Sequence, residues 1–110
     1  MKKPNILFHT SNPINRVAIL KKGLLPLKGL SQIIQHNISR KRIFLNSVND
    51  YDSTYDDDRY IINLPKYISK KLKIDKEMKL TSNNSWYLDN IRIPKRYIKI
   101  IYKGTGESTF

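Results

Sequence analysis

The fold class is decided by residues 5–23, NILFHTSNPINRVAILKKG, where a strand pattern passes into a helix pattern. Ile6, Leu7 and Phe8 begin an apolar run, so residues 5–10 are predicted to form a short strand buried on both faces. Asn12 and Pro13 follow as a helix start, because Asn accepts a hydrogen bond from an unpaired amide and Pro has no amide to satisfy. The stretch therefore predicts a strand followed directly by a helix.

The helix itself is predicted from spacing and from its last turn. Ile14, Val17 and Ala18 are expected to share one face, since residues three and four apart are neighbours on a helix. Two lysines at 21 and 22 suit the negative end of a helix, and Gly23 is placed to close it.

The rest of the chain alternates strand and helix patterns. Strands are predicted over 42–46, 59–64, 77–81, 86–88 and 96–102, with short helices near 31–36 and 65–72 and a turn at 82–85. A further helix is predicted after Ser47 from the spacing of Val48, Tyr51 and Tyr55. Interleaved elements followed by hairpin strands predict an α+β domain over residues 1–103, with residues 104–110 as a tail.

Composition excludes several classes of protein. The 110 residues are 39% hydrophobic, which suffices for one core, and there is no cysteine and only two histidines. A disulfide framework, a thiol nucleophile and a metal site are therefore not expected. No apolar run approaches the length of a membrane span or a secretory signal, so a cytoplasmic protein without a membrane segment is predicted.

Charge is the most unusual feature of the composition. Lys and Arg number 21 against 9 Asp and Glu, giving a net charge of +12, and residues 1–49 hold nine basic and no acidic side chains. An anionic partner is one explanation, and the coding bias of an A+T-rich genome is the other. The run Asp56-Asp57-Asp58 is predicted to be a solvated loop, because it lacks the alternating oxygens and the Gly of a calcium loop.

Five segments in order resemble a known family. They are LFHTS at 7–11, ILKKGL at 19–24, RIFLNS at 42–47, KLTSNNSWYL at 79–88 and IPKRYI at 93–98. Together they resemble the minimal core of the ADP-ribosyltransferase superfamily, in particular the branch of RNA 2′-phosphotransferases and small toxin-type transferases that modify nucleic acids. The resemblance covers most of the chain. It implies a small split β-sheet domain with short helices that binds NAD in the cleft between its halves.

The resemblance also implies roles for particular residues. His9 is expected to contact the ribose hydroxyls next to nicotinamide, while the backbone at Thr10 holds the carboxamide. Either Tyr51 or Tyr55 is expected to form the aromatic wall on which nicotinamide stacks. The full cofactor-binding set implied is His9, Thr10, Ser11, Arg16, Asn46, Ser47, Tyr51 and Tyr55.

The chain departs from the family at the late hairpin, where ADP-ribosyltransferases carry a catalytic Glu. Here the hairpin reads Asn83-Asn84-Ser85-Trp86, and the nearest carboxylate after it is Asp89. The catalytic residues implied are therefore His9, Asn84 and Asp89. Arg40, Arg42 and Arg96 are candidates for gripping a phosphate, because a guanidinium fork matches phosphate geometry.

Three functions follow from these observations. The first is a small phage or mobile-element effector that transfers ADP-ribose from NAD to a nucleic acid or a host protein. The second is a degenerate member that binds NAD or ADP-ribose without turnover, since the hairpin Glu is missing. The third is a basic nucleic-acid-binding module or an RNase-type toxin whose similarity to transferases is accidental.

Overall fold

The structure is a computed structural model that describes residues 3–26, 41–49, 55–75 and 84–108. These segments contain six strands: β1 (Ile6–Ser11), β2 (Arg42–Asn46), β3 (Asp58–Asn63), β4 (Lys73–Ile74), β5 (Ser85–Asp89) and β6 (Ile98–Tyr102). They also contain two helices, α1 (Arg16–Lys22) and α2 (Lys66–Ser69), and two 3₁₀ turns, Pro13–Asn15 and Lys95–Tyr97. The predicted α+β class is confirmed.

All six strands belong to one antiparallel sheet with the order β4-β5-β2-β1-β3-β6. β1 pairs with β3 along its whole length, and β2 pairs with β5 along its whole length. Between β1 and β2, by contrast, both fully described, the register holds one pair, Phe8 opposite Asn46. The sheet therefore consists of two three-stranded groups that meet at this narrow β1–β2 contact, which we call the strand junction.

The core lies on one face of the sheet. Alternate strand residues point to the same face, and Leu7, Ile62 and Leu88 on that face have no exposed surface. Ile19 of α1 and Ile68 of α2 are buried in the same apolar cluster. The two helices thus contribute to the core through one buried apolar side chain each. Among the described residues, no helix has the length and apolar character that crossing a membrane requires.

The predicted helix start is confirmed in detail. The Asn12 side chain accepts a hydrogen bond from the Ile14 amide at 3.0 Å, and Pro13 occupies the first helical position. At the other end Gly23 has a φ of 86°, and a Cβ there would lie 2.2 Å from the Ile93 carbonyl oxygen. Gly23 is therefore required both by its backbone conformation and by the close approach of the chain before β6.

The predicted face of the first helix is not the buried one. Ile14 is 85% exposed and Val17 is 76% exposed, whereas Ile19 is the buried residue of α1. The reason is that the segment starts as a 3₁₀ turn, so a period of 3.6 residues cannot be extended through Ile14. In this orientation of α1, Arg16 on the helix is hydrogen-bonded to Asp58 on β3.

The prediction of a solvated Asp56-Asp57-Asp58 loop is wrong for Asp58, which is completely buried. Its carboxylate accepts hydrogen bonds from Arg16 Nε at 2.8 Å and from Arg16 Nη2 at 2.7 Å. It also accepts from the Gly104 amide at 2.8 Å and from the Tyr60 hydroxyl at 3.3 Å. A buried carboxylate is tolerated here because its charge is paired and its oxygens are hydrogen-bonded.

Several other predictions differ from the structure or lie outside it. Tyr55 is not in a helix, because its backbone forms an isolated antiparallel bridge with Ser108. The strand predicted from residue 96 begins instead as a 3₁₀ turn, and β4 was not predicted. The helix near 31–36, the strand at 77–81 and the first half of the turn at 82–85 lie outside the described residues.

Candidate functional site

His9 lies at the strand junction, one residue after the Phe8–Asn46 pair. Its Nδ1 atom is 2.8 Å from the main-chain carbonyl oxygen of Phe44 on β2. A side chain therefore bridges the two groups of strands at the point where their register pairing ends. Because a carbonyl oxygen can only accept, Nδ1 must carry the hydrogen in this bond. The bond fixes the tautomer of a neutral His9 and leaves Nε2 as its acceptor atom.

The charge of His9 follows from its surroundings. Burial lowers the pKa of His9 below its ordinary value, and the opposing effect of the Phe44 hydrogen bond is smaller. A ring with a lowered pKa is neutral at physiological pH. His9 thus offers an uncharged acceptor, which suits a hydroxyl group better than a phosphate.

Tyr60 forms the neighbouring part of the site. It lies opposite His9 in the β1–β3 register, and the two rings are tilted by 42° with centroids 6.5 Å apart. Burial raises the pKa of Tyr60 to about 12, so its hydroxyl stays protonated and points its hydrogen at Asp58. The pair links the His9 environment to the buried Asp58–Arg16 ion pair.

A second group of predicted residues meets at the end of β2. The Ser47 amide donates to the Asn84 carbonyl at 2.8 Å, and the Ser47 hydroxyl donates to the Asn84 side-chain oxygen at 3.3 Å. Asn46 lies opposite Phe8 and accepts from the Val48 amide through its side chain at 3.1 Å. The structure therefore brings Asn46, Ser47 and Asn84 together beside the β1 residue that precedes His9.

The remaining β1 and α1 candidates lie against other residues of the protein. The Ser11 hydroxyl accepts a hydrogen bond from the Asn15 side chain at 3.0 Å, and Thr10 lies opposite Arg59 in the sheet. The Arg16 fork binds Asp58 and also donates to the Gly104 carbonyl at 3.1 Å. In this arrangement the Arg16 guanidinium is paired with the buried carboxylate of Asp58.

Arg42 and Asp89 form a separate group at the other end of the β2–β5 pair. Arg42 Nε donates to Asp89 at 2.8 Å, Lys73 Nζ donates to it at 3.2 Å, and the Arg42 guanidinium lies 4.0 Å from the centre of the Tyr87 ring. Burial raises the pKa of Asp89, but the hydrogen bonds from Lys73 and Arg42 outweigh it and lower the pKa overall. Asp89 is thus an ionised carboxylate engaged by two cations, away from Asn84 along β5.

The last predicted site residues do not join the strand junction. Tyr55 is half exposed and lies beside Ser108, and Arg96 lies in the second 3₁₀ turn beside the Tyr97 ring. Arg40 and Tyr51 lie outside the described residues. Within the segments that the structure describes, no cluster of side chains is suited to holding a metal ion.

Sequence reasoning missed two parts of this site. One is the Phe44 carbonyl, which carries no sequence signal because every residue has one. The other is Tyr60, whose burial is signalled only by its alternation with Ile62 on the core face. Comparison of the chain with protein-family models, with curated proteins and with solved structures found no match. The contacts described above are therefore the basis on which a function is inferred.

Proposed function

We propose that this protein binds NAD, or a related nucleotide containing ADP-ribose, at the strand junction, as an ADP-ribosyltransferase-like protein. The observation that carries the proposal is His9, a neutral imidazole bridging two halves of a sheet with Nε2 as its acceptor atom. Such an atom can accept a hydrogen bond from a ribose hydroxyl. This is the role that the resemblance implies for His9.

The chemistry of the neighbouring residues fits the same ligand. Ser47 and Asn84, just beyond the ends of β2 and β5, supply uncharged hydrogen-bonding groups that suit the hydroxyls and the carboxamide of a dinucleotide. Asn46 alternates with the core-facing Leu45, so its side chain lies on the other face of the sheet from His9. The narrow contact between β1 and β2 supports the expected division of the sheet into two halves. When bound, NAD would supply the bond between ribose and nicotinamide that a transferase breaks. The task of His9 is then to hold the ribose in one orientation.

A second function, binding without turnover, is favoured by one specific observation. The only carboxylate among the implied catalytic residues, Asp89, is engaged by Arg42 and Lys73. A carboxylate whose charge is already neutralised by two cations is poorly placed to stabilise a further developing positive charge. Release of nicotinamide from NAD by the purified protein separates the two functions, since a binder releases none.

The binding proposal is tested by thermal denaturation with NAD and with ADP-ribose. A ligand present at 100 times its Kd stabilises the folded state by about 2.7 kcal/mol, and we expect a rise in Tm of about 10 °C. His9→Ala should abolish the rise, whereas Asn49→Ala, a change at an exposed position just beyond Ser47, should keep it. His9→Gln, which retains polar atoms near Phe44, serves if the alanine variant does not fold.

A pH series adds a second readout to this experiment. The rise in Tm should be constant at and above neutral pH and should shrink well below about pH 6.5, where Nε2 gains a proton and stops accepting. The proposal is wrong if millimolar NAD and ADP-ribose leave the Tm of the native protein unchanged. It is also wrong if both His9 variants fold and show the same rise as the native protein.

A further inference from the structure

Two tyrosines and an arginine form a cluster that the proposed nucleotide site does not use. The hydroxyls of Tyr67 on α2 and Tyr97 in the second 3₁₀ turn are 3.4 Å apart. The Arg96 guanidinium lies over the Tyr97 ring at 4.7 Å from its centre. Tyr67 is nevertheless 52% exposed. The Tyr67 ring is thus positioned by the contact of its hydroxyl with Tyr97, while about half of the residue remains exposed to solvent.

This cluster lies at one end of the sheet, among basic residues. α2 follows the end of β3 and is tied to the chain before β1, since the Ser69 hydroxyl donates to the Pro4 carbonyl at 2.9 Å. The end of α1 lies against the second 3₁₀ turn, where Gly23 approaches the Lys95 amide. This end, which we call the basic end, carries the exposed cations Lys3, Lys22, Lys66, Lys70, Lys71, Lys95 and Arg96.

Among the described residues, most acidic side chains lie away from α2 and the second 3₁₀ turn. Residues 59–74 and 90–106, which build most of the basic end, contain no Asp or Glu. Asp56, Asp57 and Asp58 lie where β3 begins, and Ser11 at the far end of β1 is opposite Asp58. Glu107 is bonded to the same region through its carbonyl and the Asp56 amide. Along β3, the described acidic residues therefore lie at the start of the strand and basic residues lie beyond its end, so Tyr67 lies in a positively charged surface.

We propose that the basic end binds single-stranded nucleic acid, with one base stacked on the Tyr67 ring and the neighbouring phosphate held by Arg96. Proteins that bind single strands combine aromatic rings with a positively charged surface. The rings stack on the flat faces of the bases, and the positive charges attract the phosphates. Arg96 is a fork donor that can bind two phosphate oxygens at once. This surface stands on its own observations and does not depend on NAD binding.

An anionic membrane is the competing partner for such a surface. Membrane association of a basic face is strengthened by aliphatic or bulky apolar side chains that insert beside the lysines. On α2 the aliphatic residue Ile68 is buried in the core, and the exposed ring belongs to Tyr67, whose hydroxyl is hydrogen-bonded. The observations therefore favour a nucleic acid strand.

The test is fluorescence anisotropy of labelled single strands of about 12 nucleotides, one oligouridylate and one oligodeoxyuridylate, which differ only in the sugar. We expect Tyr67→Ala to weaken binding about tenfold and Tyr67→Phe, which keeps the ring, to change it less than about twofold. Arg96→Lys should weaken binding although the charge is unchanged, because the fork is lost. Lys66→Gln should reduce the salt dependence of binding, whereas the matched change Lys103→Gln, beyond β6 at the acidic end, should leave it unchanged.

Two results would overturn the proposal. One is equal affinity for native protein, Tyr67→Ala and Arg96→Lys, all shown to be folded by circular dichroism, which would reduce the interaction to total charge. The other is tighter binding to vesicles of phosphatidylserine and phosphatidylcholine than to either oligonucleotide. Preference for one oligonucleotide over the other supports the proposal and identifies the sugar that the surface accepts.

Discussion

At the scale of single residues, Asp58 is the most consequential side chain outside the strand junction. It is buried, and its carboxylate joins α1 through Arg16, β3 through Tyr60 and the segment after β6 through Gly104. Removing one partner of a buried pair leaves an uncompensated charge. Asp58 and Arg16 therefore depend on each other, and both determine the attachment of α1 to the sheet.

The prediction at this scale concerns Asp58→Asn. We expect the free energy of unfolding at pH 7, measured by urea denaturation, to fall by about 2 kcal/mol, because an amide keeps one acceptor oxygen where both oxygens of the buried carboxylate accept hydrogen bonds. Glu107→Gln, at an exposed acidic position, is the control and should change it by less than about 0.5 kcal/mol. A loss for Asp58→Asn no larger than that of the control would show that the ion pair contributes little.

The pH dependence of this effect has a definite sign. Hydrogen bonds from Arg16 hold the pKa of Asp58 below its ordinary value in the folded protein. A depressed folded pKa contributes stability that is complete above the unfolded pKa of about 3.9 and is lost as pH falls through the folded pKa. The difference in stability between native protein and Asp58→Asn should therefore shrink in acid. A difference that stays constant down to pH values well below about 3.9 would contradict this assignment.

At the scale of elements, the segment after β6 is hydrogen-bonded to the residues that precede β3. Asp56 accepts hydrogen bonds from the Tyr102 hydroxyl at 2.6 Å and from the Thr105 amide at 3.0 Å. Its backbone bonds to Gly106 and Glu107, each at 2.8 Å. Residues 104–108, predicted to lie in a tail, are thus bound to the start of β3.

Two glycines in this segment give a matched pair of substitutions. A Cβ at Gly104 would lie 2.0 Å from the Asp56 carbonyl oxygen, whereas a Cβ at Gly106 meets its nearest atom at 3.5 Å. Gly106 has a φ of 78°, so alanine there costs about 1 kcal/mol of backbone strain. We expect Gly104→Ala to lower the Tm more than Gly106→Ala, because backbone must move to relieve the contact. The reverse order would indicate that the segment is loosely attached.

The helices and strands also show which features of the fold can be predicted from the sequence. The turn into α1 was predicted correctly because Asn12, Pro13 and Gly23 act on their own neighbours, and β2 was predicted at its observed residues. The helix through Tyr55 was wrong, because this residue pairs with Ser108, a partner remote in sequence. The burial of Asp58 was missed for the same reason, since Arg16 and Gly104 are distant along the chain.

The candidate site residues occupy two kinds of position in the fold. The resemblance implied one site containing His9, Asn46, Ser47 and Asn84. In the structure these residues lie near the strand junction, with the side chains of His9 and Asn46 on opposite faces of the sheet. The resemblance also grouped Arg16 and Asp89 with them, and both are instead engaged in ion pairs. A sequence motif identifies residue types but not ion-pair partners. A buried charge is tolerated only where the fold places an opposite charge beside it, and that partner can be distant in sequence.

At the scale of the whole molecule, the net charge of +12 acts against compaction. Like charges repel in the folded state, and salt screens exposed charges over roughly 8 Å at physiological ionic strength. We expect the Tm to rise between about 10 mM and about 150 mM sodium chloride, measured by differential scanning calorimetry at neutral pH. A fall over this range would indicate that the ion pairs of Asp58 and Asp89 outweigh the general repulsion.

The outermost strands of the sheet have a consequence for behaviour in concentrated solution. Exposed strand edges are templates on which other chains can add, and this is a common route to aggregation. Here β4 is only two residues long and carries Lys73, while the other border, β6, carries Lys99 and is paired through an irregular register near Arg59 and Tyr60. Short, charged and irregular borders disfavour addition of a further strand. The sheet is therefore expected to resist growth into fibrils from either side.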